Sequence, residues 1–200
     1  MTDRLPPTAE GIARAAELLR DGAVVAFPTD TVYGVGVAAA RPDRLDALFA
    51  LKRRSPDRRI PMLVADLDQV AADGALLDDR ARALTGRFWP GALTVVLARG
   101  DDTQAYRAPD HPLALALIRA AGPILATSAN ISDQPDTLGA DEVLIAFATQ
   151  RDELTAVVDG GPVPGGMAST VIDLSVTPAR VLREGPIGPA QLAELIDLEP

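Results

Sequence analysis

The chain has no cysteine and a single histidine, His111. Thiol nucleophiles, disulfide frameworks, iron-sulfur clusters and the usual zinc spacings are therefore excluded or short of ligands, so any bound metal is expected on oxygen donors. Aromatic residues are 4% of the sequence, and Tyr33 and Trp89 are read as core packing rather than base-stacking platforms. The start, Met1-Thr2-Asp3-Arg4-Leu5-Pro6-Pro7, lacks a basic segment followed by an apolar one, and no apolar run is long enough to span a bilayer. A cytoplasmic protein with no membrane partner is expected. Lysine occurs once, at Lys52.

With 200 residues, 48% of them hydrophobic, the chain can bury a sizeable core in one domain, expected over residues 1–200, without a covalent staple. The formal net charge of -9 argues against a generic nucleic-acid coat, which needs basic charge spread over a surface. The cations are instead gathered in Lys52-Arg53-Arg54-Ser55-Pro56-Asp57-Arg58-Arg59. One reading of this run is a grip on phosphate, with Lys52 as a point charge. The other is a solvated charge run after a helix, whose members could be replaced without harming the fold.

Apolar spacing predicts a helix from Thr8 to Leu19, with Thr8 as N-cap and Gly22 just past its end. A buried strand follows over 23–27, and the hydroxyl- and glycine-rich stretch from Pro28 to Gly36 reads as a contact loop. Pro42 suits the first turn of a helix over 43–51, which delivers Lys52 at its C-terminal end. Further strands are expected at 61–65, 93–97, 123–126 and 156–158, and helices at 79–87, 112–121 and 140–149. Residues 159–166 read as a flexible stretch. The segments 169–174 and 179–183 read as a strand pair around Thr177-Pro178, and a last helix spans 189–197. Interleaved helices and strands without a long linker predict one α/β domain with a twisted, mixed sheet and flanking helices.

Ligands of open α/β sheets tend to sit beyond strand ends, and several strand ends here lead into polar loops. Neither standard phosphate loop is present: the lone lysine does not follow a glycine, and no Gly-x-Gly-x-x-Gly opens a helix. The loops that are present run in order as Pro28-Thr29-Asp30-Thr31-Val32-Tyr33-Gly34, Lys52-x-Arg54, Phe88-Trp89-Pro90-Gly91, Arg107-x-Pro109-Asp110-His111-Pro112, Ser128-Ala129-Asn130, Ser169-Thr170-Val171 and Arg183-Glu184-Gly185. One such tripeptide occurs by chance, but seven in this order are specific. The set resembles the YrdC-type threonylcarbamoyl-AMP synthases over most of the chain, in their short, single-domain form.

The resemblance implies a YrdC-like fold and an enzyme that joins L-threonine, bicarbonate and ATP into threonylcarbamoyl-adenylate, releasing pyrophosphate. It implies Mg²⁺ with the ATP. Downstream proteins would then move the threonylcarbamoyl group onto tRNA, whose direct contact with this chain stays open. By the same resemblance, Lys52 and Arg54 hold ATP phosphates and are the catalytic cations. Arg107 takes the threonine carboxylate in a two-pronged grip, with Thr31, Ser128 and Ser169 around the amino acid. Thr103, Asn130 and Arg183 reach the nucleotide. Read structurally, Thr103 is a loop hydroxyl, Ser128 and Asn130 cap a helix that follows a strand, and Arg107 forms a surface ion pair. His111, just before Pro112 at a helix start, reads as a cap rather than a general base.

The sequence departs from the family pattern in two places. Many relatives have Asn-Pro soon after the basic motif where this chain has Ile60-Pro61, and some carry a histidine where Ala65 stands. The roles of Arg58 and Arg59 are open. One rival reading is a paralogue of the same fold that has lost or changed its substrate, against which the intact Ser128-Ala129-Asn130 argues; the other is an RNA-binding paralogue of this fold without synthase activity, using the Lys52-to-Arg59 groove.

Overall fold

The computed structural model describes every residue except Arg54, Pro56, Asp57, Arg151 and Pro200. Strands β1 (Asp3–Leu5), β2 (Val24–Pro28), β3 (Tyr33–Ala38), β4 (Met62–Leu63), β5 (Leu93–Arg99), β6 (Asp102–Arg107), β7 (Ile124–Ser128), β8 (Leu154–Val158), β9 (Thr170–Asp173) and β10 (Arg180–Arg183) form one sheet in the order β1-β8-β2-β3-β7-β4-β6-β5-β9-β10. Parallel pairs (β1 with β8, β2 with β8, β4 with β6, β5 with β9) mix with antiparallel ones. This is the single-domain mixed α/β sheet expected from the sequence.

The helices are α1 (Ala9–Arg20), α2 (Leu45–Lys52), α3 (Leu67–Ala72), α4 (Asp79–Phe88), α5 (Pro112–Ala121), α6 (Ala140–Ala146) and α7 (Pro189–Ala193). Caps explain where several begin. The Thr8 hydroxyl accepts from Gly11 N at 3.2 Å, Asp66 from Gln69 N at 3.1 Å and Asp78 from Ala81 N at 2.8 Å. Each satisfies a donor that the first turn leaves without an intrahelical partner. A 3-10 turn, Pro42–Arg44, leads into α2, so the helix expected over 43–51 is split. The expected helices over 140–149 and 189–197 are shorter, ending at Ala146 and Ala193.

Because side chains alternate across a sheet, each strand feeds two layers. Val24 and Ala26 join a core shared with α2, α3, α4, α6 and α7, whereas Val25 and Phe27 join a second core with α1 and α5. The second core takes buried residues from β2, β3, β4, β7 and β8, and none of its members comes from β5, β6, β9 or β10. Helices α1 and α5 thus cover one half of that face and leave the other half open.

Three further readings are corrected by the fold. The stretch read as a contact loop through Gly36 is a loop only to Val32, after which β3 runs fully buried between β2 and β7. Gly36 serves close packing: a Cβ there would stand 2.4 Å from the Leu125 carbonyl oxygen, so no larger residue fits without displacing the neighbouring strand. Thr103 lies on strand β6, paired with Ala98, not in a loop. No helix begins at Ser128-Ala129-Asn130, since the next is α6 at Ala140, and these residues are not helix caps.

Candidate active site

The open half of the sheet forms the floor of a cleft of ≈ 710 Å³. The pleat selects most of its strand residues: Ala126 and Ser128 from β7, where Thr127 between them also reaches the cleft, Leu63 from β4, Thr103, Ala105 and Arg107 from β6, Thr94 and Val96 from β5, and Val171 and Asp173 from β9. Their sequence neighbours Leu125, Tyr106, Val95 and Ile172 point the other way, into the first core. The site therefore lies over a sheet face, not only beyond strand ends. Its volume is in the range of a small-molecule pocket.

Arg107 ends β6 and is 8% exposed. Its Nε donates to Gly91 O at 3.0 Å, one terminal nitrogen to the Thr31 hydroxyl at 3.1 Å, and the other to Asp30 at 2.6 Å. Burial pulls the guanidinium below the ordinary arginine value, and the Asp30 carboxylate opposes that shift. The surface ion-pair reading is thereby corrected, because this pair is inside the protein. A guanidinium carries five N–H donors, so three bonds leave two for a ligand. The loop that presents Asp30 and Thr31 is held by the Thr29 hydroxyl, which donates to Val32 O at 2.6 Å.

Arg183 ends β10 on the opposite wall. Its Nε donates to Ser169 O at 3.0 Å and a terminal nitrogen to the Ser169 hydroxyl at 3.1 Å. Burial and then the positive charge of Arg107 lower its pKa, while Asp136 opposes them. Two guanidinium groups repelling each other across one cleft favour an anion between them.

The basic run is divided by the fold. Arg59 reaches the cleft, where one nitrogen donates to Thr103 O at 2.6 Å and its hydroxyl at 2.9 Å while the other meets Asp102 at 2.7 Å. Arg58 faces Asp133 at 3.8 Å. Arg54 lies outside the described residues. Lys52 is 2% exposed, which corrects the reading of a solvated, replaceable charge. Its ammonium donates to Ser128 O, to Asn130 O at 2.8 Å and to Asn130 Oδ1 at 3.2 Å. A buried ammonium persists where several acceptors replace its water. Here the carbonyls turn inward at the end of β7 because Ala129 N continues the ladder to Tyr33 O at 2.7 Å.

Asn130 shares this interior setting. Its Oδ1 also accepts from the Ser128 hydroxyl at 2.7 Å, and its amide nitrogen donates to Gln134 O. Lys52 and Asn130 stand behind the cleft wall, while Thr31, Thr103, Arg107, Ser128, Ser169 and Arg183 line it. His111 occupies the N-cap position of α5 but makes no capping hydrogen bond, so its cap role is positional. Its Nδ1 is buried with no hydrogen-bond partner among the described residues. Tyr33 is fully buried, and Trp89 packs against the first core and donates to Leu93 O at 2.8 Å. Both fit the core-packing reading.

Sequence reasoning missed Thr29, Asp30, Thr94, Arg59 and Asp136. Thr29 and Asp30 sit inside a quoted motif and could have been taken with it. Arg59 closes the basic run, whereas Thr94 and Asp136 carry no local signal: sheet register brings Thr94 to the cleft, and the loop between β7 and α6 brings Asp136. No group of three or more histidine, aspartate or glutamate side chains fit to hold a metal occurs among the described residues, nor is any helix long and apolar enough to cross a membrane.

Comparison with known proteins bears on this geometry. The family model Sua5_yciO_yrdC, described as telomere recombination, matches residues 17–185. A Bacillus subtilis protein named threonylcarbamoyl-AMP synthase is 40% identical over 98% of this chain, which spans 59% of that protein's length. A protein of the same name from Chromohalobacter salexigens is 37% identical, with 84% of this chain matched to 94% of it. The crystal structure of P. abyssi Sua5 complexed with L-threonine superposes with a TM-score of 0.89 at 33% identity, covering 100% of this chain and 63% of that one. E. coli YciO shares the fold, with a TM-score of 0.82 at 24% identity.

Proposed function

We propose, from the premise that this chain belongs to the Sua5/YciO/YrdC family, that it is an L-threonylcarbamoyladenylate synthase, a nucleotidyltransferase acting in the cytoplasm. Threonine's amine and bicarbonate give a carbamate and water; a carbamate oxygen then attacks the α-phosphorus of ATP, and the bond to pyrophosphate breaks. All three substrates bring negative charge, and the pair Arg107 and Arg183 facing one cleft is the observation that carries this reading. Arg107 takes the threonine carboxylate on its two remaining N–H groups, with Thr31 and Ser128 alongside. Arg183, Thr103 and Arg59 face the nucleotide, and Ser169, bonded to Arg183, lies where the two ligands meet. The charge-assisted grip orients the reactants without a covalent enzyme intermediate.

Lys52 acts by position: its ammonium ties together the corner that presents Ser128, and Asn130 completes that tie. The phosphate role of Arg54 follows from its motif. Mg²⁺ would arrive on the ATP phosphates, where it would neutralise charge developing on the leaving pyrophosphate. Asp136 is the cleft carboxylate that faces Arg183 and could complete its shell, in keeping with a cation that keeps water and phosphate ligands and needs few from protein. The product is passed to proteins that transfer threonylcarbamoyl to tRNA.

The test is pyrophosphate release by the purified protein with ATP, Mg²⁺, bicarbonate and L-threonine, with the adenylate identified by mass. Omission of threonine or bicarbonate is expected to abolish release. Release that ignores threonine overturns the reading, and steeply salt-dependent RNA binding without turnover would favour the RNA-binding paralogue.

A further inference from the structure

Thr94 was not singled out by the motifs, yet it lines the cleft, and among the described residues its hydroxyl bonds only to Ser169. It lies on β5, 3% exposed, in register with Val171 of β9. Its Oγ1 stands 2.8 Å from the Oγ of Ser169, itself 4% exposed, and either atom could donate. Ser169 Oγ accepts from Arg183 as well.

The two hydroxyls hold two protons between them. Their mutual hydrogen bond uses one, and neither oxygen has a further acceptor among the described residues. One O–H donor is left over whichever way the pair is oriented, and both side chains line the cleft. Arg183 decides the polarity. A cationic N–H donating to Ser169 Oγ strengthens that hydroxyl as a donor, and hydrogen bonds aligned head to tail reinforce one another. The favoured chain therefore runs from Arg183 through Ser169 to Thr94 and ends in the Thr94 proton. A buried donor without an acceptor costs free energy that a ligand oxygen recovers.

We infer that Thr94 is a further substrate-contacting residue, which donates its hydroxyl proton to an anionic oxygen of the ligand in the cleft. A carboxylate or a phosphate oxygen would satisfy it, since both carry the charge that Arg107 and Arg183 call for. The inference rests on the synthase reading for the identity of these ligands. It makes Ser169 a relay between Arg183 and Thr94 as well as a wall of the site.

The experiment is calorimetric titration of L-threonine and of ATP, each alone and then together, into wild-type protein and Thr94→Val, Thr94→Ser and Ser169→Ala variants. Valine keeps the shape and removes the donor, and is expected to weaken one ligand about ten- to hundredfold, the range of a hydrogen bond to a charged group. Which ligand weakens tells carboxylate from phosphate. Thr94→Ser is expected to restore most of the affinity, and Ser169→Ala to lose less than Thr94→Val. Unchanged affinity for both ligands in Thr94→Val, even with a lowered melting temperature, overturns the inference, as does a serine variant as weak as the valine one. If the valine variant fails to fold, Thr94→Ala carries the same comparison. Wild-type protein that binds neither ligand would defeat the synthase reading instead, so the two failures are separable.

Discussion

Asp30 and Arg107 meet at 2.6 Å with side chains only 15% and 9% exposed. Among the described residues the carboxylate is the sole acidic partner of a guanidinium that also anchors Gly91 and Thr31, so the pair joins the loop after β2 to the end of β6.

Removing one member of such a pair leaves the other charged and largely unhydrated. Asp30→Asn is expected to lower stability by about 3 kcal/mol, the lower end of the range for breaking a buried pair. Urea unfolding checks this, and an unchanged midpoint would return the pair to the class of surface contacts.

Arg107→Lys keeps the charge and loses the planar fork. Titrating each ligand alone and then both together, affinity for L-threonine is expected to fall about tenfold or more, with ATP little changed. Arg183→Ala is expected to do the reverse. A loss confined to ATP in Arg107→Lys would show that Arg107 serves the nucleotide.

Lys52→Ala is expected to damage both fold and activity. The substitution strips a donor from Ser128 O, Asn130 O and Asn130 Oδ1; the last keeps the Ser128 hydroxyl, and each buried acceptor left without a partner costs about 1–3 kcal/mol. Thermal unfolding followed by circular dichroism checks the first part, and pyrophosphate release the second. A variant that melts like wild type would show that water replaces the ammonium freely.

Burial lowers the pKa of His111 from its ordinary 6.5, against the opposing charges of Asp30 and Asp110. As pH falls through the unfolded value of about 6.5, the unfolded chain takes up this proton before the folded one does. Stability is therefore full above that pH and declines toward the folded value below it. His111→Asn is expected to flatten the fall in melting temperature between about pH 7 and 5. With no other histidine in the chain, equal slopes in the two proteins would assign the decline to carboxylates.

Local chemistry made parts of this molecule legible. The Thr8 cap, the buried run of β2 and the apolar spacing of α5 each carry their signal within a few residues, and the motif loops marked Thr31, Arg107, Ser128, Ser169 and Arg183. The missed elements are those whose local signal misleads. Gly34 and Gly36 suggest a loop, and the reason for Gly36 is the Leu125 carbonyl from a strand far along the chain. The polar residues Asp102, Thr103 and Gln104 hide β6, because one face of that strand looks into a cleft rather than a core. The burial of Lys52 depends on three oxygens contributed by Ser128 and Asn130, more than seventy positions away. Charge alone predicts solvent there, and only the corner's geometry reverses it.

Strand β8 lies between β1 and β2 and pairs in parallel with both, which bears on synthesis of the chain. While a ribosome has made only the first 150 residues, β2 has β3 on one side and nothing to pair with on the other, and β1 packs on α1 without a strand partner. Exposed strand edges are templates for wrong association, and parallel pairing across so long a separation is slow to form. The emerging chain accordingly keeps these strand edges open to chaperone binding until residues 154–158, the last piece of the sheet's N-terminal half, arrive.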